Sequence, residues 1–351
     1  MLNDAVTRPI TAPAVGEVMV TGTRAEDRPV PEAALGAPSD AADETASWAP
    51  WKNRGLLIRV GIFMVVTGAI VASLIGWVGA RDVASLLSSA SPGPMILATL
   101  LTLTLPLVHA WRFRTVLNAI GYSVSWSRSF LLTMAAWPIS SITPSKSGDL
   151  IKAYYLRKTV PATVTAGSLL AERAVDVAVL GAMSFVGSMF FDRPAITLFS
   201  GLILAAIAGF FIVAPWTRRL SLKPAWRQRL DLVLSSTYAL SRSPSLLFIT
   251  LSLTFINWVT TVLTAWLLFL AVDANVPLIY TFAGLPPALF AGLMPFTLGG
   301  MGTRDSVIML LFEGYATSAQ SLTVGILYAF FGRWLLSLLG IPFLQRLIKE
   351  G

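Results

Sequence analysis

Glu172, Arg173 and Asp176 stand within five residues of one another, inside an apolar run that begins at Pro161. Glu172 and Asp176 are spaced i,i+4 and Arg173 and Asp176 i,i+3, so one face of a helix carries all three. At the centre of a membrane helix each such charge costs roughly 2.5–3.5 kcal/mol on insertion scales, so the three must be paired or hydrated. They either lock two helices together or line a polar cavity. The cavity is the favoured reading, because apolar packing would join helices without the insertion cost. Just upstream, an apolar run from Phe130 to Ile142 carries Pro138 and leads through Pro144 to Lys146, Gly148, Asp149 and Lys152. About 150 residues later comes a related series: Pro295, Gly299, Gly300, Gly302, Arg304 and Asp305.

Arg112, Lys146, Lys152 and Arg304 are candidates for holding a phosphate, arginine as a bidentate fork and lysine as a mobile point charge. Gly148 and the Gly299-Gly300-x-Gly302 run would let backbone N–H groups approach an anion at a helix start. Asp149 and Asp305 would each open a returning helix, where a carboxylate also has a plain role against the helix dipole. Arg333 has no acidic neighbour on its own helix and must seek Asp149, Glu172, Asp176, Asp305 or an anionic ligand. No nucleophile–base arrangement is evident: Ser168 and Ser306 have no histidine near them in sequence, and no phosphate-binding P-loop or zinc motif occurs. The reading is therefore of a non-enzyme with no cofactor and no metal.

What must position these residues follows from composition. The chain has 351 residues, 55% of them hydrophobic and 13% charged, where soluble domains run near ~25% charged. This is a polytopic all-helical membrane protein. It has no cysteine and a single histidine, His109, which excludes disulfides and thiolate or polyhistidine metal sites. Residues 1–54 carry five basic and eight acidic residues and no hydrophobic period, and read as a disordered tail. Residues 55–351 form the transmembrane domain, with 21 basic and ten acidic residues. That excess suits ordinary cytoplasmic loops, anionic lipid or an anionic substrate. The bases are dispersed among spans, which argues against nucleic acid.

Six full crossings are expected: Leu56–Val78, Met95–Trp111, Pro161–Met189, Ile196–Ala214, Ser245–Val272 and Ser321–Phe343. Arg81 and Asp82 are read as a polar loop, and Arg112-Phe113-Arg114 as the flank closing the second span. Phe130–Ile142 is too short for a core that needs ~20 residues and is read as one arm of a re-entrant hairpin. Leu278–Phe296, with Pro286-Pro287 and Pro295, is read as its counterpart, with Val307–Phe312 returning. The loop 215–244 holds Arg218, Arg219, Lys223, Arg227, Arg229 and Arg242 against Asp231. It marks the cytoplasmic side, with both termini. Two halves, about 94–190 and 245–345, then form inverted copies with paired broken helices, hinged at Pro144, Pro295 and the glycines. Such a pattern points to a transport site near the midplane. Pro144-x-Lys146-x-Gly148-Asp149 is matched by letters to Pro295…Gly302-x-Arg304-Asp305, and LLAERAVDVAVLG to AFFGRWLLSLLG.

At AWRFRTVLNAIGYSVSW, PSKSGDLIKAYYLRK, AERAVD and LMPFTLGGMGTRD the chain resembles the membrane domain of lysylphosphatidylglycerol synthases and its stand-alone, flippase-like relatives. The resemblance covers about residues 56–346. The family more often has Arg and Glu where this chain has Lys146 and Asp149, and Glu where it has Asp305; charge is kept but reach is shorter, so a different headgroup preference is expected. The resemblance implies a bacterial inner-membrane protein that moves a phospholipid or glycolipid, aminoacylated or not, between leaflets. The soluble synthase domain is not expected, so the protein should not make the lipid. The alternative is a non-transporting partner that docks a lipid-modifying synthase or glycosyltransferase through 215–244. The sequence leaves oligomeric state unread.

Overall fold

The computed structural model describes residues 54–143, 148–190, 194–213, 242–293 and 297–350. The tail, most of the 215–244 loop, and Pro144, Lys146 and Pro295 lie outside the described residues. Those described are helical, with no strand among them: α1 Arg54–Val78, α2 Ala80–Ser89, α3 Pro92–Ala119, α4 Trp126–Ile142, α5 Ile151–Leu156, α6 Ala162–Ser188, α7 Pro194–Val213, α8 Pro244–Ala271, α9 Leu278–Leu293, a 3₁₀ turn Leu298–Gly300, α10 Thr303–Phe312, and α11 Ser318–Ala329, which runs through a π-helical turn at Phe330–Leu335 into α12 Leu336–Glu350. Four helical stretches are long and apolar enough to cross a membrane: 61–78, 92–119, 244–271 and 318–350. Outward-facing Ile58, Val65, Trp77, Leu202, Ile212 and Phe248 are all more than half exposed, the surface of a protein solvated by lipid.

Two local expectations need correction. Arg81 and Asp82 are not a loop. They sit in the first turn of α2, which is set off from α1 by Gly79 at φ 109°. Nor does α3 end at Trp111. It continues to Ala119 and carries Arg112 inside it, because partners on other helices remove the need for that charge to reach water.

α3 and α8 are antiparallel neighbours: the Ser91 N–H donates to Ala271 O at 2.8 Å, while Arg112 reaches Thr254. Helix starts repeat at a constant interval. α3, α4 and α5 begin at Pro92, Trp126 and Ile151, and α8, α9 and α10 begin 152 residues later at Pro244, Leu278 and Thr303. The letter match made above between the two broken segments is therefore out of register. Structurally Gly148 corresponds to Gly300 and Lys152 to Arg304.

The short helices α4 and α9 are 17 and 16 residues long and carry internal prolines. Each packs on the other half's last long helix, α4 on α12 and α9 on α6. Proline frees the carbonyl four residues back, and the partner helix deals with it. Pro287 frees Ala283 O, which accepts from the Ser184 hydroxyl at 3.2 Å. Pro138 frees Met134 O, and Gly340 is where α12 approaches that oxygen too closely for any side chain. Ser337 and Ser141 join the second seam by a 2.6 Å hydrogen bond.

Both broken segments close on a glycine. A Cβ on Gly148 would strike the Ile139–Ser140 backbone, and one on Gly300 the Gly292 backbone. Gly300 also has φ 77°. Neither neighbour is a flexible side chain, so neither can yield cheaply. Gly148→Ala and Gly300→Ala should each destabilise the protein by about 1–3 kcal/mol, with Gly300→Ala the worse for its positive φ. Thermal melts in detergent would show this, and an unchanged melting temperature for both would mean the tips are not close-packed.

Candidate functional site

α6 presents Glu172, Arg173 and Asp176 inward, and α3 presents Arg112 to meet them. Arg112 is 1% exposed and pairs with Asp176 Oδ1 at 2.5 Å and with Glu172 Oε2 at 3.4 Å. Trp258 Nε1 on α8 donates to the same Asp176 oxygen at 3.2 Å. Arg173, about a third exposed, bridges Asp149 and Asp176. Asp149 also accepts from the Ser140 hydroxyl at 2.9 Å, which ties the break after α4 to α6.

In the second half, Arg304 clamps Asp305 through Nε and Nη2 and donates to Gly325 O at 2.8 Å. Asp305 in turn accepts from the Gly302 N–H at 2.9 Å and so caps α10. Its plain role at the helix N-terminus is therefore fulfilled. Gly325 has no room for a side chain because Asp305 lies against it.

These groups surround one cavity of about 150 Å³, far above the roughly 10–15 Å³ that one water requires. Of the expected site residues, Asp149, Lys152, Glu172, Arg173, Asp176, Gly299, Arg304 and Arg333 line it. Arg112, Gly148, Gly300, Gly302 and Asp305 do not. Arg112 and Asp305 sit behind the wall holding its charges in place, and the three glycines shape the tips. The wall is built from equivalent positions of the two halves: Trp137 and Leu289, Ser140 and Gly292, Lys152 and Arg304.

Two of the lining cations form no ion pair with a described carboxylate. Lys152 is 4% exposed, and its Nζ lies 4.8 Å from the centre of the Phe113 ring. No carboxylate among the described residues is within ion-pair distance of it. Arg333 sits in the π-helical turn, a deformation frequent at functional sites. It donates only to two neutral oxygens, Ser141 O at 3.4 Å and Gly299 O at 3.1 Å. One guanidinium thus spans the tips of both broken segments.

Sequence reading missed the neutral part of the wall. Asn257 and Thr261 on α8 belong to a series with Thr254 and Thr264, spaced three, four and three apart. That stripe of polar residues on an otherwise apolar helix was available as a signal. Thr102, Thr133, Trp137 and Trp258 also line the cavity, but single residues of these types in apolar runs carry no signal.

The chain is similar in sequence to known membrane proteins. Similar proteins include a UPF0104 membrane protein of Methanocaldococcus jannaschii, 22% identical over 283 residues, covering 72% of this chain and 84% of that protein. Another is a UPF0104 membrane protein of Methanothermobacter thermautotrophicus, 21% identical over 332 residues, covering 83% and 97% respectively. Both organisms are archaea, so the likeness assigns no bacterial membrane. Residues 64–340, including every charged group of the cavity wall, match the lysylphosphatidylglycerol synthase TM region. The chain belongs to that family of membrane proteins.

Proposed function

We propose that the protein is a lipid translocase of the plasma membrane, moving a phospholipid or glycolipid between leaflets without chemical change. The observation that carries this reading is a pair of cations held in no ion pair, Lys152 and Arg333, facing one cavity within the hydrophobic body whose described charges sum to a net positive. A membrane protein keeps uncompensated charge there at a cost of several kcal/mol per ion, which an arriving anion would offset. The acyl chains would stay in lipid while the headgroup enters.

The topology adopted here is a membrane domain of six crossings with two re-entrant segments, in which α3–α6 and α8–α12 are inverted copies. The antiparallel α3–α8 pair and the 152-residue interval of helix starts support it. α6 is the crossing that carries three charges. Arg128, bound to Glu350 and to Tyr155 O, gathers α4, α5 and the end of α12 at one face, alongside Arg157, Arg346 and Lys349. Asp82 and Asp273 lie toward the other, where Gln320 bonds Asp273 O. By the positive-inside rule the basic face and the C-terminus are cytoplasmic.

Leaflet exchange of fluorescent lipids in proteoliposomes tests the function. Wild type should exchange anionic lipid well above protein-free vesicles, and Lys152→Gln should reduce that rate at least tenfold. Exchange no faster than in protein-free vesicles, for every headgroup offered, would retire the translocase reading in favour of a docking partner for a lipid-modifying enzyme.

A further inference from the structure

Within the cavity, the charged and neutral walls ask for different things of a ligand. On the charged side every carboxylate oxygen of Asp149 and Asp176 already accepts a hydrogen bond, from Arg112, Arg173, Trp258 or Ser140. Glu172 gives Oε2 to Arg112, but its Oε1 is buried with no partner. On the neutral side Asn257 Oδ1 and the hydroxyls of Thr102 and Thr133 are likewise buried without a partner, and all three residues are at least 97% buried. Glu172 Oε1, as a carboxylate, and Asn257 Oδ1 accept, and the two threonine hydroxyls can donate or accept. A buried polar atom left unmade costs roughly 1–3 kcal/mol. Unpartnered hydroxyls also occur away from the cavity, at Ser129, Thr165, Thr250 and Ser321, but Glu172 and Asn257 bring unpartnered acceptors to the lining itself, where O–H or N–H groups would meet them.

Charge decides between those two. Among the described residues, the lining and the groups directly behind it hold five cations and four carboxylates, a net of one positive charge. A phosphodiester carries one negative charge and leaves the occupied site neutral. An amine added to the headgroup would restore the excess in a low-dielectric setting, where uncompensated charge is most expensive. Hydroxyls supply donors without that penalty. We propose that the cavity selects a phosphodiester whose headgroup is an uncharged polyol, such as a glycerol or sugar, over one bearing an amine. Lys152 and Arg333 take the phosphate oxygens, and Asn257, Glu172, Thr102 and Thr133 take the hydroxyls.

This rests on the reading of the cavity as a headgroup site, but binding tests it separately from transport. Detergent-solubilised full-length protein would be titrated calorimetrically with dihexanoyl phosphatidylglycerol, phosphatidylmethanol, phosphatidylethanolamine and lysylphosphatidylglycerol. Phosphatidylmethanol keeps the phosphodiester and loses the hydroxyls. Phosphatidylglycerol should bind about tenfold tighter than phosphatidylmethanol and tighter than either amine lipid. Asn257→Leu and Thr102→Val should remove that advantage while leaving phosphatidylmethanol affinity in place, which also reports that the variants are folded. Glycerol 3-phosphate separates a lipid from a water-soluble source, and it should bind more weakly than the lipid. Equal affinity for phosphatidylglycerol and phosphatidylmethanol, or tighter binding of an amine lipid, would overturn the proposal. Selective binding without leaflet exchange would spare it and remove the translocase reading. Exchange indifferent to headgroup would do the reverse.

Discussion

Arg112→Met should yield protein that is largely unfolded or degraded. The guanidinium is 1% exposed and is the counterion that Asp176 and Glu172 share, so its removal leaves Glu172 in no ion pair and Asp176 with Arg173 alone. Breaking a buried pair from one side typically costs 3–5 kcal/mol, a large part of what holds a domain together. The triple variant Arg112→Met, Glu172→Gln, Asp176→Asn should recover much of the loss, because neutral groups of the same shape leave no carboxylate stranded, and Arg173 keeps Asp149. Expression level and detergent melting temperature report both. A well-folded single variant, melting like wild type, would mean that Arg112 is dispensable and that the acids are satisfied elsewhere.

Arg333→Gln should move stability and binding in opposite directions. In the wild type the guanidinium is desolvated, and its two hydrogen bonds go to neutral carbonyls. Replacing it removes an uncompensated charge, so the ligand-free protein should melt at a higher temperature. Affinity for an anionic lipid should fall about a hundredfold, as expected for losing a charge-assisted contact worth roughly 2–5 kcal/mol when truncated. Arg333→Lys should fall between the two, since an ammonium cannot span both tips as a planar fork does. A melt and a titration on the same samples separate the roles. Lower stability with unchanged affinity would make Arg333 a brace between the broken segments and nothing more. Opposed shifts of this kind are the usual mark of a residue kept for function at the expense of stability.

Much of this was legible in the sequence, for physical reasons that differ by residue. The α6 cluster is readable because three charges in an apolar run have few explanations, and Arg333 stands out on the same ground, while Lys152 and Arg304 stand out as bases beside the two broken segments. Arg112 was named as a site residue but placed at a helix end, because a window of hydropathy stops at a charge while a helix does not. Its partners are 60 and 64 residues away, a distance across which sequence patterns say nothing. Arg81 and Asp82 failed for the same reason: two charges and a nearby glycine look like a loop, yet they open α2. The repeat was detected but in the wrong register, since matching bases and acids by letter gave Asp149 a partner in Asp305. The close approach of Gly148 and Gly300 to the preceding arms sets the true alignment. The neutral wall was passed over because threonine is unremarkable in a membrane helix, and only its three-and-four spacing on α8 set it apart.

The crossing of the halves has a consequence for biogenesis. α4 rests on α12, and α12 begins 194 residues after α4 ends, counting from Ile142 to Leu336. At the ~5–20 residues per second of chain synthesis, the first short helix waits roughly 10–40 s for its wall. Throughout that time Met134 O, freed by Pro138, has no α12 beside it. The wall of α4 is therefore completed only once α12 has been made, so the packing of the first short helix waits on the second half.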